Sequence, residues 1–422
     1  MTTLPGSLEI LSPMAESRFP GGTKEGKPVK EAGAATVGAE AVGRPKILSP
    51  LEKIELPTGA MIGRVFSRGW KGRRHRIVVN QEQGASYHIM SRTAGGERLF
   101  GDLEKEAFRR LMWRQARFCG VEIRTYAVMD NHFHILARVP SRAKFATRFT
   151  GEGGESRLLD HLQLLYSKQY IAVLRAELTD LRKRDMRQEA DDLIDGYMRR
   201  LCDLPVFAKE LKERFSRWFN AHHDRRGALW MERFKSVLVE DGEALRTMAA
   251  YIDLNAVRAG MVKDPKDYRW CGYGEAMGGG KAARLGLCHV VGHGQRGEAA
   301  WETPGVPKGM NAAEVYRCGL FDDAGRPAET TPSLVNKAGI SKETVAAEKQ
   351  RKGKLSRSEL LRCRVRYFSD GLVMGSKPFV EGVFAEHRGQ FSPGRKNGAR
   401  TLREDETGRL FTARQLTVRA LG

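Results

Sequence analysis

The chain has 422 residues, more than one hydrophobic core ordinarily holds, so two or three units are expected. Its 72 Lys and Arg against 51 Asp and Glu give a formal net charge of +21 and a pI of about 9.9, which points to a polyanionic partner, nucleic acid first, without naming a reaction. The six cysteines, Cys119, Cys202, Cys271, Cys288, Cys318 and Cys363, are scattered and form no CxxC pair, so neither a zinc ribbon nor a disulfide framework is indicated; no apolar run approaches the ~18 residues of a spanning helix and no signal pattern opens the chain, so a cytoplasmic protein without a membrane partner is expected.

Residues 1 to about 60 are rich in Gly, Ala, Pro, Glu and Lys and lack sustained periodicity, as in PGGTKEGKPVKEAGAATVGAEAVGRP, and read as a disordered arm. Order is expected from about residue 85, where SYHIMSR alternates like a strand before a Gly-Gly turn. A helix follows, with Asp102 as its N-cap, an apolar stripe of Phe108, Leu111, Met112, Ala116 and Phe118, and Gly120 as its stop. VEIRTYAVM and HFHILARV then alternate on either side of Asp130-Asn131, a hairpin that completes a β-α-β-β pattern. A charged helical insertion is expected at about 150–200, followed by an amphipathic helix over VFAKELKERFSRWFNAHH, a strand-like RRGALWMERFKSVLV and a helix over EALRTMAAYIDLNAVRAGMV closed by Gly260. Residues 279–350 read as a Gly-rich linker and irregular region, and 355–422 as a small basic module of its own, an accessory DNA contact.

In DNHFHILARV the two histidines stand two residues apart on a strand, so His132 and His134 share one face while Phe133 and Ile135 turn to the core. Adjacent imidazoles can hold a divalent metal, and the same pair is also readable as surface histidines. On the late helix Tyr251 and Asn255 are spaced i, i+4 and share a face; alone they also read as a core aromatic and a helix-side amide. Between 215 and 235, Arg217, Trp218, Arg225, Arg226, Trp230, Arg233 and Lys235 mix cations with aromatics in the manner of a single-strand binding surface, with Arg258 seven residues beyond Tyr251; Trp218 and Phe219 are equally readable as core and the cations as a solvated face.

From Tyr87 to about Met277, leaving out the insertion, the chain resembles the tyrosine transposases associated with repetitive extragenic palindromes, of the HUH endonuclease superfamily (the IS200-like transposase domain). The matching pieces are YHIMSR, YAVMDNHFHILARV, FSRWFNAHHDRRGALWMERFKSVLV, YIDLNAVRAGMV and DYRWCGY. The resemblance implies an α+β domain over 85–278, a central antiparallel sheet of ferredoxin-like or RRM-like form with helices packed on it. It also implies Mg²⁺ or Mn²⁺ held by His132, His134 and Asn255, with Tyr251 as the nucleophile that forms a 5′-phosphotyrosine on single-stranded or hairpin DNA. A homodimer is one arrangement it leaves open. The family often has proline after the asparagine where this chain has Ala256, and the insertion, the arm and the tail are foreign to its compact members. The alternative reading is a domesticated DNA-binding protein of the same fold that no longer cuts. A replication or mobilisation nuclease would more often carry helicase-like or relaxase segments, and no RNA-module motif is visible.

Overall fold

The structure, a computed structural model, describes residue 77 and residues 84–303, 310–321, 367–402 and 409–414. The expected N-terminal arm, residues 304–309 and 322–350 of the expected linker, and residues 355–366, 403–408 and 415–422 of the expected C-terminal module lie outside the described residues. The fold is α+β: a seven-stranded sheet flanked by helices.

The predicted β-α-β-β core comprises β1 (Ala85–Arg92), α1 (Asp102–Cys119), β2 (Glu122–Val128) and β3 (His132–Val139). Gly101, one residue before the expected Asp102, caps α1: the Glu104 carboxylate reaches back to accept the Gly101 N–H at 2.8 Å, and Asp102 falls in the first turn, where its charge suits the helix dipole. Gly120 ends the helix in the left-handed region, at φ 68°, with its Cα close under the Phe145 ring. β1 runs antiparallel to β3, with Met90 opposite His134 and Arg92 opposite His132, and antiparallel to β4 (Lys235–Val239), with Met90 opposite Lys235. Of the basic RRGALWMERFKSVLV stretch only β4 is a strand; the residues before it are held through the Thr93–Trp230 bridge and the Met231 N–H bond to the Arg92 carbonyl at 2.9 Å.

Alternation sorts the side chains of β3. Phe133 meets Phe108 of α1 and Trp230 at 4.7 and 5.4 Å between ring centroids, in an aromatic core shared with Phe215 of α6 (Leu204–His222). His132 and His134 take the opposite face. The inserted segment folds as α2 (Arg142–Ala146), α3 (Gly154–Leu162), α4 (Lys168–Lys183) and α5 (Arg187–Met198), with Leu158, Leu159, Ile171, Leu174 and Leu178 buried.

The single late helix expected from sequence is interrupted. α7 (Glu243–Asp253) and α8 (Asn255–Arg258) are separated by Leu254 at ψ 2°, although the Leu254 N–H still reaches the Ala250 carbonyl and Arg258 N–H the Leu254 carbonyl, at 3.0 and 2.9 Å. The break falls beside Asp253, a fully buried carboxylate that accepts hydrogen bonds from Thr125 Oγ1 on β2 at 2.9 Å, from Tyr273 N at 3.1 Å and from the Tyr316 hydroxyl. Tyr273 lies on α9 (Gly272–Met277).

Past residue 278 the described chain is helical, unlike the irregular linker expected. α10 (Lys281–Val290) lies on β2 with Leu287 and Cys288 buried; Gly286 permits this approach, since a Cβ there would stand 2.5 Å from the Ile123 carbonyl oxygen. α11 (Ala312–Phe321) brings in Tyr316. The tail, set apart as a module in the sequence, adds strands to the same sheet. α12 (Tyr367–Asp370) leads to β5 (Val373–Gly375), parallel to β4, and α13 (Lys377–Glu386) precedes β6 (Arg400–Thr401) and β7 (Phe411–Thr412), in the strand order β2-β3-β1-β4-β5-β7-β6. Backbone pairing is not visible in composition: the exposed edge of β4 is closed by Leu238 N–H to Leu372 O and Glu240 N–H to Met374 O, at 2.8 and 2.9 Å.

Candidate active site

β1, β3, α7 and the tail converge on one face of the sheet. The rings of His132 and His134 stand 5.0 Å apart between centroids, at 86°, as consecutive same-face residues of a strand should. Tyr251 of α7 meets His134 at 6.3 Å, edge to face. Phe368 also packs on the tyrosine at 4.5 Å, and the Arg258 guanidinium lies over its ring at 4.0 Å while donating to the Tyr251 carbonyl at 2.6 Å. One chain supplies both histidines and the tyrosine.

Each histidine is oriented from behind. Asn131 Nδ2 donates to the Gly96 carbonyl at 2.7 Å, which turns its Oδ1 toward His132 Nδ1, also 2.7 Å away. An amide oxygen only accepts, so His132 Nδ1 is the donor, and in the neutral imidazole the lone pair is on Nε2. His134 Nδ1 lies 2.8 Å from Nε2 of His88, and His88 Nδ1 lies 2.6 Å from the Phe368 carbonyl. Burial lowers the His88 imidazole to a pKa of about 4, against the opposing pull of that carbonyl.

Asn255 opens α8, one residue past the interruption at Leu254. Its Nδ2 is buried with no hydrogen-bond partner among the described residues. Amide oxygen and nitrogen can be exchanged by a flip, and the alternative assignment puts an unsatisfied carbonyl oxygen at that buried point. Imidazole nitrogens and an amide oxygen are donor types that suit Mn²⁺, and suit Mg²⁺ if water and phosphate oxygens complete its shell. Among the described residues no group of three or more His, Cys, Asp or Glu could hold a metal, so a protein-only cage of those residues is not present.

The predicted DNA-contact residues are placed differently from one another. Arg217, Arg226 and Arg233 are exposed and Arg225 is half-buried. Lys235, across β1 from His134, pairs with Asp370 at 3.3 Å and Glu232 at 3.5 Å. The half-buried Trp230 ring packs against Phe100, Phe108, Phe133 and Phe215, and its Nε1–H donates to the Lys212 carbonyl at 3.2 Å. Sequence reasoning did not single out His88, Phe368 or Asp370. His88 alternates with the core residues Tyr87 and Ile89, a signal for the opposite face; nothing local marks Phe368, 117 residues beyond Tyr251.

No protein-family model matches the chain, and no curated protein matches it. A solved structure described as a REP-associated tyrosine transposase bound to a REP hairpin is similar over 48% of this chain and 82% of its own length, at 15% identity and a TM-score of 0.29. A likeness of that degree leaves function to be argued from the site itself. No described helix is long and apolar enough to cross a membrane.

Proposed function

We propose that the protein is a metal-dependent DNA endonuclease and strand transferase of the transposase kind that cuts single-stranded or hairpin DNA with Tyr251. The observation that carries this reading is the meeting of two adjacent imidazoles with a tyrosine, His134 and Tyr251 being 6.3 Å apart between ring centroids, in a chain of net charge +21. His132 and His134, with Asn255 as an amide donor, are the residues that would hold Mg²⁺ or Mn²⁺. The bound ion supplies neutralisation of the phosphodiester charge and favours an ionised phenol.

Tyr251 Oη gives up its proton to solvent and forms a bond to phosphorus as the bond from phosphorus to O3′ breaks; the departing oxygen takes a proton from solvent and becomes a 3′-hydroxyl. The product is a 5′-phosphotyrosine that retains the ester energy, so a 3′-hydroxyl can attack it and rejoin strands without ATP. Arg258 and Phe368 both pack against the ring, which limits its orientations before attack. Arg217, Arg225, Arg226, Arg233 and Lys235 supply the backbone-directed cations, a sequence-independent contribution to binding. Histidines and tyrosine come from one chain, so the reading needs no second copy.

One observation favours the alternative of a DNA-binding protein that does not cut: Tyr251 is only 4% exposed. The test separates the two. Full-length protein is incubated with Mg²⁺ or Mn²⁺ and labelled single-stranded hairpin DNA from its own genomic flanks, and denaturing gels are read for a covalent adduct. An adduct present in the wild type and lost in Tyr251→Phe is expected. DNA binding without an adduct under either metal gives the lead to the non-cleaving reading.

A further inference from the structure

Behind the histidine pair lies a residue that the functional reading leaves unused. His88 is 1% exposed, sits on β1, and spends both ring nitrogens on hydrogen bonds: Nδ1 toward the Phe368 carbonyl at 2.6 Å and Nε2 toward His134 Nδ1 at 2.8 Å, the two ring planes lying 19° from parallel. Directions in this chain are set by its far end. A carbonyl has no proton to give, so Nδ1 of His88 carries the hydrogen. In a neutral imidazole the other nitrogen is then an acceptor, and His134 must be the donor through Nδ1. The lone pair of His134 is thereby left on Nε2. His132 reaches the same tautomer by a different route, through Asn131.

We propose that His88 is a positioning residue for His134, and that the Phe368 carbonyl, His88 and His134 form a relay fixing the tautomer in which His134 presents Nε2 to a divalent metal. This rests on the reading of His132 and His134 as metal ligands. It adds that the C-terminal segment is a working part of the site. The chain that carries Phe368 is held against the sheet by β5 on β4 and by the Lys235–Asp370 pair, so the relay's terminal acceptor is supplied only when the tail is docked. Outer partners of this kind orient a ligating imidazole and raise its basicity, and their loss typically lowers metal affinity by about 10- to 100-fold.

The test is Mn²⁺ affinity of the full-length protein, measured by calorimetry for the wild type, His88→Phe and His88→Gln. The phenyl ring keeps the volume and removes the acceptor; the glutamine amide restores an acceptor for His134 and a donor toward the carbonyl. Expected are a loss of about 10- to 100-fold in His88→Phe and recovery of most of it in His88→Gln. Unchanged affinity in His88→Phe overturns the relay while leaving the metal reading standing. A wild type that binds no Mn²⁺ overturns the metal reading and the relay with it. Histidine-selective nitrogen-15 spectra of the metal-free wild type, with the His134 signals identified by their loss in His134→Asn, give a second decision that needs no folded His88 variant. A proton on His134 Nδ1 supports the relay, and a proton on Nε2 overturns it.

Discussion

Removing the Tyr316 hydroxyl tests how α7 is anchored two residues beyond Tyr251. Asp253 is fully buried and takes hydrogen bonds from Thr125, Tyr273 N–H and Tyr316. Burial pushes its carboxyl up to about 6, against the pull of these donors. Its unfolded value lies near 3.9, so the folded state binds the proton more tightly. The stability this contributes is whole below about pH 4, is lost as pH rises through about 6, and amounts to roughly 3 kcal/mol. Tyr316→Phe deletes a donor that helps the ionised carboxylate more than the neutral acid. The variant should therefore lose about 1.5–3 kcal/mol where Asp253 is charged and about 0.5–1.5 kcal/mol where it is protonated. Urea unfolding of wild type and variant, followed by tryptophan fluorescence at about pH 4.5 and about pH 8, reads the difference directly. The other titrating groups are common to both proteins and cancel. The gap between them should widen by about 1 kcal/mol toward the higher pH. A gap that is constant, or that narrows, refutes the assignment of Tyr316 as donor to a carboxylate that ionises in this range.

Phe368→Ala removes a fully buried ring and should cost about 3–5 kcal/mol in the same unfolding measurement, with slower adduct formation because Tyr251 loses the ring that packs on it at 4.5 Å. A shift under about 1 kcal/mol would mean that the tail is not packed as described. Gly120→Ala places a methyl 2.5 Å from the Phe145 ring at φ 68° and should destabilise by about 2–3 kcal/mol, whereas an unaffected midpoint would contradict that geometry. Affinity for hairpin DNA, followed by fluorescence anisotropy, should fall by on the order of a thousandfold between about 50 and about 200 mM salt if some six phosphates are contacted. A flat salt dependence would remove the phosphate-binding role from Arg217, Arg226 and Arg233.

Much of the first half was legible because its signals are local. Alternation marked β1 and the β2–β3 hairpin, glycine marked the end of α1, and the period of two residues dictates that His132 and His134 share a face opposite Phe133. Trp230 shows what composition leaves out: an aromatic among arginines reads as a stacking platform, and its half-buried ring also packs on four phenylalanines that the sequence scatters from Phe100 to Phe215. The interruption at Leu254 was likewise hidden, since nothing in DLNAV breaks a helix and the tie of Asp253 to three other elements appears only on folding.

By itself the sequence determined the basic charge, the β-α-β-β order and the residue types that can do chemistry, because these depend on composition and on spacings shorter than a strand. Only the tertiary structure decided which of them meet. His88 reaches His134 because β1 pairs with β3 in one register, and Phe368 reaches both His88 and Tyr251 because a strand 134 residues after β4 joins its open edge, β4 ending at Val239 and β5 beginning at Val373. Such pairings are set by which backbone donors and acceptors remain unsatisfied once the rest of the chain has folded, and that is a property of the sheet as a whole rather than of any segment in it.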